Sequence, residues 1–289
     1  MPRFAGSTHA LHWLYSPEAL QSLRQRTQAK IAAQIHQIMP QSPVQIELNR
    51  DEETILQAGL IQTMTKVAVF FNFHPSVIWT AANYLKRFYL LNSLYEHDPM
   101  QMMFTALFLA TKAEEVNISL RAICEGVKLC EEKRVRAYEV HLLRGIRYHL
   151  QVFSPYRPLE ALWRLVQARI EDRDSVYSQI VKHLEGVLLT DWIFQESPAI
   201  LALSGFIAAL RSRIDLEELI QSLLAACNID RDINQLLTLA DTIRAETERV
   251  AVLTASSEQQ FRSAAKKVQG VHKRLARGKA PPEAANSAS

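Results

Sequence analysis

The side chains able to do chemistry in this 289-residue chain are nine His, three Cys and several runs of adjacent acids. A helical zinc hydrolase needs H-E-x-x-H, and that pattern is absent. His141 and His149 lack flanking ligands, and His141 is expected on a half-exposed helix face rather than on a metal. Glu114-Glu115, Glu131-Glu132 and Glu171-Asp172 are sequence neighbours. On a helix such neighbours point about 100° apart, so they do not converge on one metal or substrate. No D-D-x-x-D supports a helical prenyl-transfer enzyme. Cys124, Cys130 and Cys227 contain no C-x-x-C and form no paired framework, which predicts thiols in a reducing compartment. Cys124 and Cys130 are expected on one helix, in or near the core. Neither G-x-G-x-x-G nor G-x-x-x-x-G-K occurs, which removes the dinucleotide fingerprint and the P-loop. The expectation is a protein with no catalytic residues, no cofactor and no metal.

What remains is a set of charged residues at the edges of apolar helices. Lys112 closes the most apolar segment, and its plain reading is a cation complementing a helix C-terminus. Glu139 lies within Tyr138-Glu139-Val140-His141-Leu142-Leu143, where the plain reading is a solvated face. The pattern alone favours both plain readings.

The elements that position these residues are helices. Ser16-Pro17-Glu18 reads as an N-cap, a first-turn proline and an acid at the positive helix end. Leu20, Leu23, Thr27, Ile31, Ile35 and Ile38 follow at helical spacing until Pro40 to Pro43. Further helices are expected over about 51–71, 75–91, 98–114, 119–130 and 133–150. Phe153-Ser154-Pro155-Tyr156-Arg157-Pro158 interrupts the pattern and marks a domain boundary. Beyond it the chain repeats itself. Tyr95-Glu96-His97-Asp98-Pro99 before MQMMFTALFLATK is echoed, 99 residues later, by Phe194-Gln195-Glu196-Ser197-Pro198 before AILALSGFIAALR. A helix apolar on every face must sit at the centre of a bundle. Ala106 and Ala110 in one copy, and Gly205, Ala208 and Ala209 in the other, admit close neighbours. Two such helices predict two helical bundles of similar plan, and the spacing is too long for a solenoid repeat. A last helix is expected from Ser256 to about Ala276, striped by Phe261, Ala265, Val268, Val271 and Leu275. Gly278 and Pro281-Pro282 should stop it, and Glu283 to Ser289 reads as disordered.

Composition agrees. Only 8 residues are Gly and 11 Pro, against a usual glycine content of roughly 7%, which opposes a fold of many short strands. The net charge of +3 is unevenly spread. From Arg262 onward seven Lys or Arg face one acid, Glu283, so the tail carries +6 and residues 1–261 carry −3. The plain reading of the tail is a solvated helix end, and an acidic body argues against direct nucleic-acid binding. The start lacks the apolar region of a signal peptide. The most apolar run, Met102 to Ala110, is far short of a membrane span, so no membrane association is expected.

Two consecutive helical bundles, with a helix before and a helix after, resemble the cyclin family. Ser76-Val77-Ile78 through Ala81-Ala82-Asn83-Tyr84-Leu85-Lys86-Arg87-Phe88-Tyr89-Leu90 is similar to the family's second-helix signature. FTALFLATKAEE, from Phe104 to Glu115, is similar to its third-helix pattern of small and apolar residues ending in Lys and paired acids. Ser154-Pro155-Tyr156-Arg157-Pro158-Leu159 resembles the join of transcriptional cyclins. His12-Trp13 followed by Ser16, Glu18, Leu20 and Leu23-Arg24 resembles the opening of the H-type branch. The likeness spans about residues 10–275; the first bundle carries it strongly, and the second mainly through the 99-residue echo.

The resemblance implies an all-α fold of two tandem five-helix cyclin boxes. Residues 1–48 would be an N-terminal helix and linker, 49–152 the first box and 153–248 the second. Residues 249–289 would be a C-terminal helix and a basic, partly disordered tail. It implies a nuclear, non-catalytic activator of a cyclin-dependent kinase: the CDK-activating kinase that also phosphorylates the RNA polymerase II tail. A RING-finger assembly subunit and factor IIH are the further implied partners. Lys112 and Glu139 match the pair that cyclins use to hold the kinase, and Leu143, Tyr148 and Leu150 match the apolar seat for its C helix. The resemblance therefore reverses the plain reading of Lys112 and Glu139. Arg211 stands where a second Lys112 would be, and the later helix offers no clear acid, so kinase contact is expected on the first box. Ala113 replaces the large aromatic that follows the Lys in cell-cycle cyclins, which favours a transcriptional cyclin with a smaller contact. The alternatives are another transcriptional cyclin such as cyclin C, or a two-box DNA-binding factor resembling factor IIB.

Overall fold

A computed structural model describes residues 4–38, 48–211, 232–255 and 258–278, with isolated helical positions 218, 221 and 224. The expected stop at Pro40–Pro43, Cys227, Ser256 and the tail from Glu283 lie outside the described residues. Among the described residues every regular element is helical.

Sequence signals set most of the helix starts. Ser7 caps α1 (Thr8–Trp13) by accepting from the Ala10 amide. Ser16 accepts from the Ala19 amide as α2 (Pro17–Ile38) begins. Asn49 and Glu52 form a reciprocal capping box at α3 (Arg50–Phe70). His74 and Pro75 open α4 (Pro75–Leu91), and Asp98 with Pro99 opens α5 (Pro99–Ala113). Ser119 caps α6 (Leu120–Gly126), and α7 (Glu132–Gly145) follows. The second half comprises α8 (Tyr156–Val166), α9 (Arg173–Leu189), α10 (Pro198–Leu210) and α11 (Ile233–Ala255). The last helix, α12, is Glu258–Gly278.

The two echoed segments do become central helices. Residues Gln101 to Thr111 of α5 are all buried, with α3, α4 and α7 packed around them. In α10 every residue from Ile200 to Ile207 is buried, among α8, α9 and α11. Both begin with a capping side chain and a first-turn proline. Helix α3 also packs on α9 and α11 across the two halves, while α12 lies along α3 and touches α2.

Three expectations need correction. Helix α6 stops at Gly126, where the Val127 amide bonds back to the Ile123 carbonyl. The Cys130 amide bonds to the Val127 carbonyl, and this turn folds Cys130 back over the helix. Cys124 and Cys130 therefore do not share a helix; their sulfurs are joined as a disulfide. Second, α7 ends at Gly145 rather than near Leu150, so Tyr148 and Leu150 lie beyond it. Third, the later helix does offer an acid: Asp241 of α11 pairs with Arg211.

Candidate protein-docking surface

Lys112 is the point at which α5 leaves the core. Its side chain is 47% exposed, lies 4.3 Å above the centre of the buried Phe108 ring, and forms an ion pair with Glu139 of α7. The two residues, 27 apart in sequence, meet because α7 packs directly on α5. An exposed pair of this kind is worth roughly 0–1 kcal/mol, so it positions two charges without locking them. Beside Glu139, Val140 is 49% exposed on the same helix, and Leu143 one turn further on is half-buried against the core.

The helix end is shaped by close packing. A Cβ added at Gly145 would lie 2.4 Å from the Phe88 ring of α4, so only glycine permits this approach. Arg147 and Tyr148 then adopt left-handed backbone angles, with φ of 56° and 58°. The Tyr148 amide donates to the Leu143 carbonyl at 2.8 Å, and the Leu150 carbonyl accepts from the Tyr84 hydroxyl at 2.6 Å. This turn leaves Tyr148 61% and Leu150 39% exposed. The structure thus ties Lys112 to Glu139 by charge and Leu143 to Tyr148 by backbone, and it shows the apolar side chains of Tyr148 and Leu150 to solvent.

A strap that no local sequence pattern announces braces this turn. Trp13 of α1 donates its indole N–H to His149 Nδ1 at 3.1 Å, and His12 stacks on the same imidazole with ring centres 4.9 Å apart. His9 Nδ1 accepts from the Phe153 amide at 3.0 Å. Beneath them Arg87 of α4 is fully buried, donates to the His149 carbonyl at 3.2 Å, and lies 4.9 Å from the centre of the Trp13 ring. Burial, reinforced by the Arg87 charge, pushes the His9 imidazole down to about 3. Burial, then the charges of His12, Arg87 and Arg147, lowers His149 as well. Both rings are therefore neutral near pH 7, as their acceptor nitrogens require.

A second junction joins α2 to both halves. Arg24 of α2 forms two bonds to the Asp191 carboxylate, at 2.7 and 2.6 Å, and Arg50 of α3 adds a third at 2.5 Å. Burial alone would raise this carboxyl. The Arg24 hydrogen bonds and the charges of Lys86, Arg24 and Arg50 outweigh it, holding Asp191 well below the ordinary carboxylate value. Lys86, itself buried, donates to the Leu188 and Thr190 carbonyls; burial lowers its ammonium to about 8.

Elsewhere, Leu150 forms part of a groove with Ala113, Glu114, Val152, Tyr156 and Pro198, between the two halves. His141 is exposed rather than half-exposed, with its ring 4.9 Å from that of His97. Among the described residues no group of three or more His, Cys, Asp or Glu is placed to hold a metal ion, and no helix is long and apolar enough to cross a membrane.

Residues 20–151 match the family model described as Cyclin, N-terminal domain. Cyclin-H of Xenopus laevis is 29% identical over 249 residues, covering 81% of this chain and 77% of that protein. Among solved structures, a chain of the CAK complex of Chaetomium thermophilum bound to ATP-gamma-S aligns with a TM-score of 0.79. The two are 22% identical, and the alignment covers 99% of this chain and 97% of that one. A chain of the yeast TFIIK (Kin28/Ccl1/Tfb3) complex aligns with a TM-score of 0.66 at 23% identity, over 84% of this chain and all of that one.

Proposed function

We propose that the chain is a cyclin, on the strength of the family match over residues 20–151 and the likeness to Cyclin-H, and that it is the regulatory subunit of a cyclin-dependent kinase of the CDK-activating type. It has no catalytic role of its own; it activates a Ser/Thr kinase by docking. The observation that carries the docking site is the Lys112–Glu139 pair, held half-exposed at the edge of the central helix beside Val140, Leu143 and the projecting Tyr148 and Leu150.

The physical logic follows from that geometry. In the free chain Lys and Glu neutralise each other at little cost. When a partner covers them, each can exchange its neighbour for a main-chain carbonyl or amide of the kinase, where desolvation makes a matched bond selective. Leu143, Tyr148 and Leu150 would seat the apolar face of the kinase C helix. Holding that helix inward lets its Glu pair with the ATP-positioning Lys. Activation is then a population shift, because the cyclin binds the active arrangement better than the inactive one.

The finer assignment is to the CDK-activating kinase, acting in the nucleus with a third, RING-finger subunit and within factor IIH. It is supported by likeness to Cyclin-H and to chains of the CAK and Kin28/Ccl1/Tfb3 complexes. Tagged full-length chain and its Lys112→Ala/Glu139→Ala variant can be used to capture endogenous kinase from nuclear extract. The proposal expects a cyclin-dependent kinase to be retained by the native chain and lost by the variant. Equal retention would place the contact elsewhere.

A further inference from the structure

Several exposed cations on the helices of this molecule pair with acids one turn away. Arg121 meets Glu125 on α6, Arg136 meets Glu132 on α7, and Arg244 and Arg249 meet Glu248 and Glu246 on α11. Helix α12 begins in the same way, with Arg262 on Glu258. It then changes character: from residue 263 to 278 it contains no acid, while Lys266, Lys267, Lys273, Arg274 and Arg277 follow.

The inner face of α12 is fully used. Phe261 seats on Gly59 of α3, Ala264, Val268 and Val271 are buried, His272 Nδ1 lies 3.1 Å from the Tyr95 carbonyl, and Lys267 pairs with Glu52. The outer face is left with Lys266, Lys273 and Arg274, all exposed and without an acidic partner among the described residues. Arg262, Lys266 and Lys273 recur at helical spacing, forming one stripe. Helix α2, which touches α12, adds Arg26 and Lys30, also exposed and unpaired among the described residues. Together α2 and α12 carry +7, and the rest of the chain carries −4. Like charges along a helix repel, so a single-sign stripe is unfavourable in the free molecule and relieved by an opposite charge.

We propose that helices α2 and α12 form a docking surface for an acidic, unstructured protein segment rich in Asp and Glu. Charge complementarity identifies the partner. The observations favour peptide over nucleic acid for two reasons. The exposed face of α12 offers no aromatic on which a base could stack, since Phe261 is turned inward. A duplex laid on the stripe would also bring its phosphates against acidic bundles, whereas a flexible acidic chain can follow the helix alone. The surface is separate from Lys112 and Glu139, so the inference stands independently of the kinase-docking reading.

The test uses full-length protein, a fluorescent 20-residue poly-glutamate peptide and, as a second arm, a 30-base-pair DNA duplex. The proposal expects the peptide to bind and to weaken at least about tenfold when salt rises from about 50 to 300 mM. A Lys266→Glu/Lys273→Glu/Arg274→Glu variant should bind it at least about tenfold more weakly, and Lys128→Glu, an exposed cation in the turn after α6, should bind normally. Circular dichroism monitors folding, and Lys266→Gln/Lys273→Gln carries the comparison if the reversals perturb it. No peptide binding, equal binding by the altered stripe, equal loss with Lys128→Glu, or duplex binding as tight as peptide would each overturn the proposal.

Discussion

Lys112 and Glu139 look like an ordinary surface ion pair, and for stability they should behave as one. Removing both should change the unfolding free energy by less than about 1 kcal/mol. Tyr148 makes a sharper case. At 61% exposure it contributes little to folding, yet it presents a large rigid ring in a turn fixed by backbone bonds. Tyr148→Ala is expected to leave the thermal midpoint within about 2 °C while weakening kinase binding by about tenfold or more, a common magnitude for a buried aromatic anchor. Calorimetry of the free chain and titration with purified kinase check both halves. Asp191 is the opposite kind of residue, with its value inside the fold. Replacing it by Asn would leave Arg24, Arg50 and Lys86 around a neutral group, and should cost about 1–3 kcal/mol in urea unfolding.

Among the elements, those whose limits are written in local chemistry were the legible ones. Pro75, Asp98-Pro99 and Ser197-Pro198 mark helix starts because capping needs only neighbours along the chain. The end of α7 was misread because Arg147 and Tyr148 are poor residues for left-handed angles; Gly145 was the one local sign. Gly145→Ala should cost about 1–3 kcal/mol, since Phe88 would have to move within a packed core. The strap from α1 was illegible because His9, Trp13, Arg87 and His149 meet only in three dimensions. It carries a pH signature. The His9 pKa falls from its ordinary 6.5 to about 3 on folding, so the unfolded chain binds more protons between those values. Stability should therefore be full above about pH 6.5 and decline on acidification toward pH 3, by up to about 1.4 kcal/mol per unit from this group. His183, lowered to about 4 chiefly by burial, acts in the same direction. His9→Gln, which keeps an acceptor but does not titrate, should flatten the dependence of the thermal midpoint between pH 4 and 6.5; an unchanged slope would assign it elsewhere.

At the scale of the whole molecule, the 99-residue echo revealed two bundles because a helix apolar on all faces has only one place to go. It did not reveal what binds the halves together. Asp191 is part of that junction, drawing Arg24 of α2 and Arg50 of α3 onto the segment before α10 beside the packing of α3 on α9 and α11, and nothing in its local sequence distinguishes it from any surface acid. Its depressed carboxyl contributes stability that is present above the ordinary carboxylate pKa and lost as pH falls below about 4. Two acid-induced steps are thus expected, the strap first and the junction second. The Arg211–Asp241 pair was missed for a similar reason: it needs α10 and α11 side by side, and 30 residues of sequence separate the two side chains. The central claim is that the first bundle activates a kinase by docking, and kinase activity tests it most directly. Purified cyclin-dependent kinase would be assayed on a peptide substrate with native chain, Lys112→Ala/Glu139→Ala, or Arg211→Ala/Asp241→Ala. Strong stimulation by the native chain and the second-bundle variant, with at least about tenfold less from the first-bundle variant at equal concentration, is the predicted result. Stimulation by Lys112→Ala/Glu139→Ala equal to that of the native chain would contradict the account.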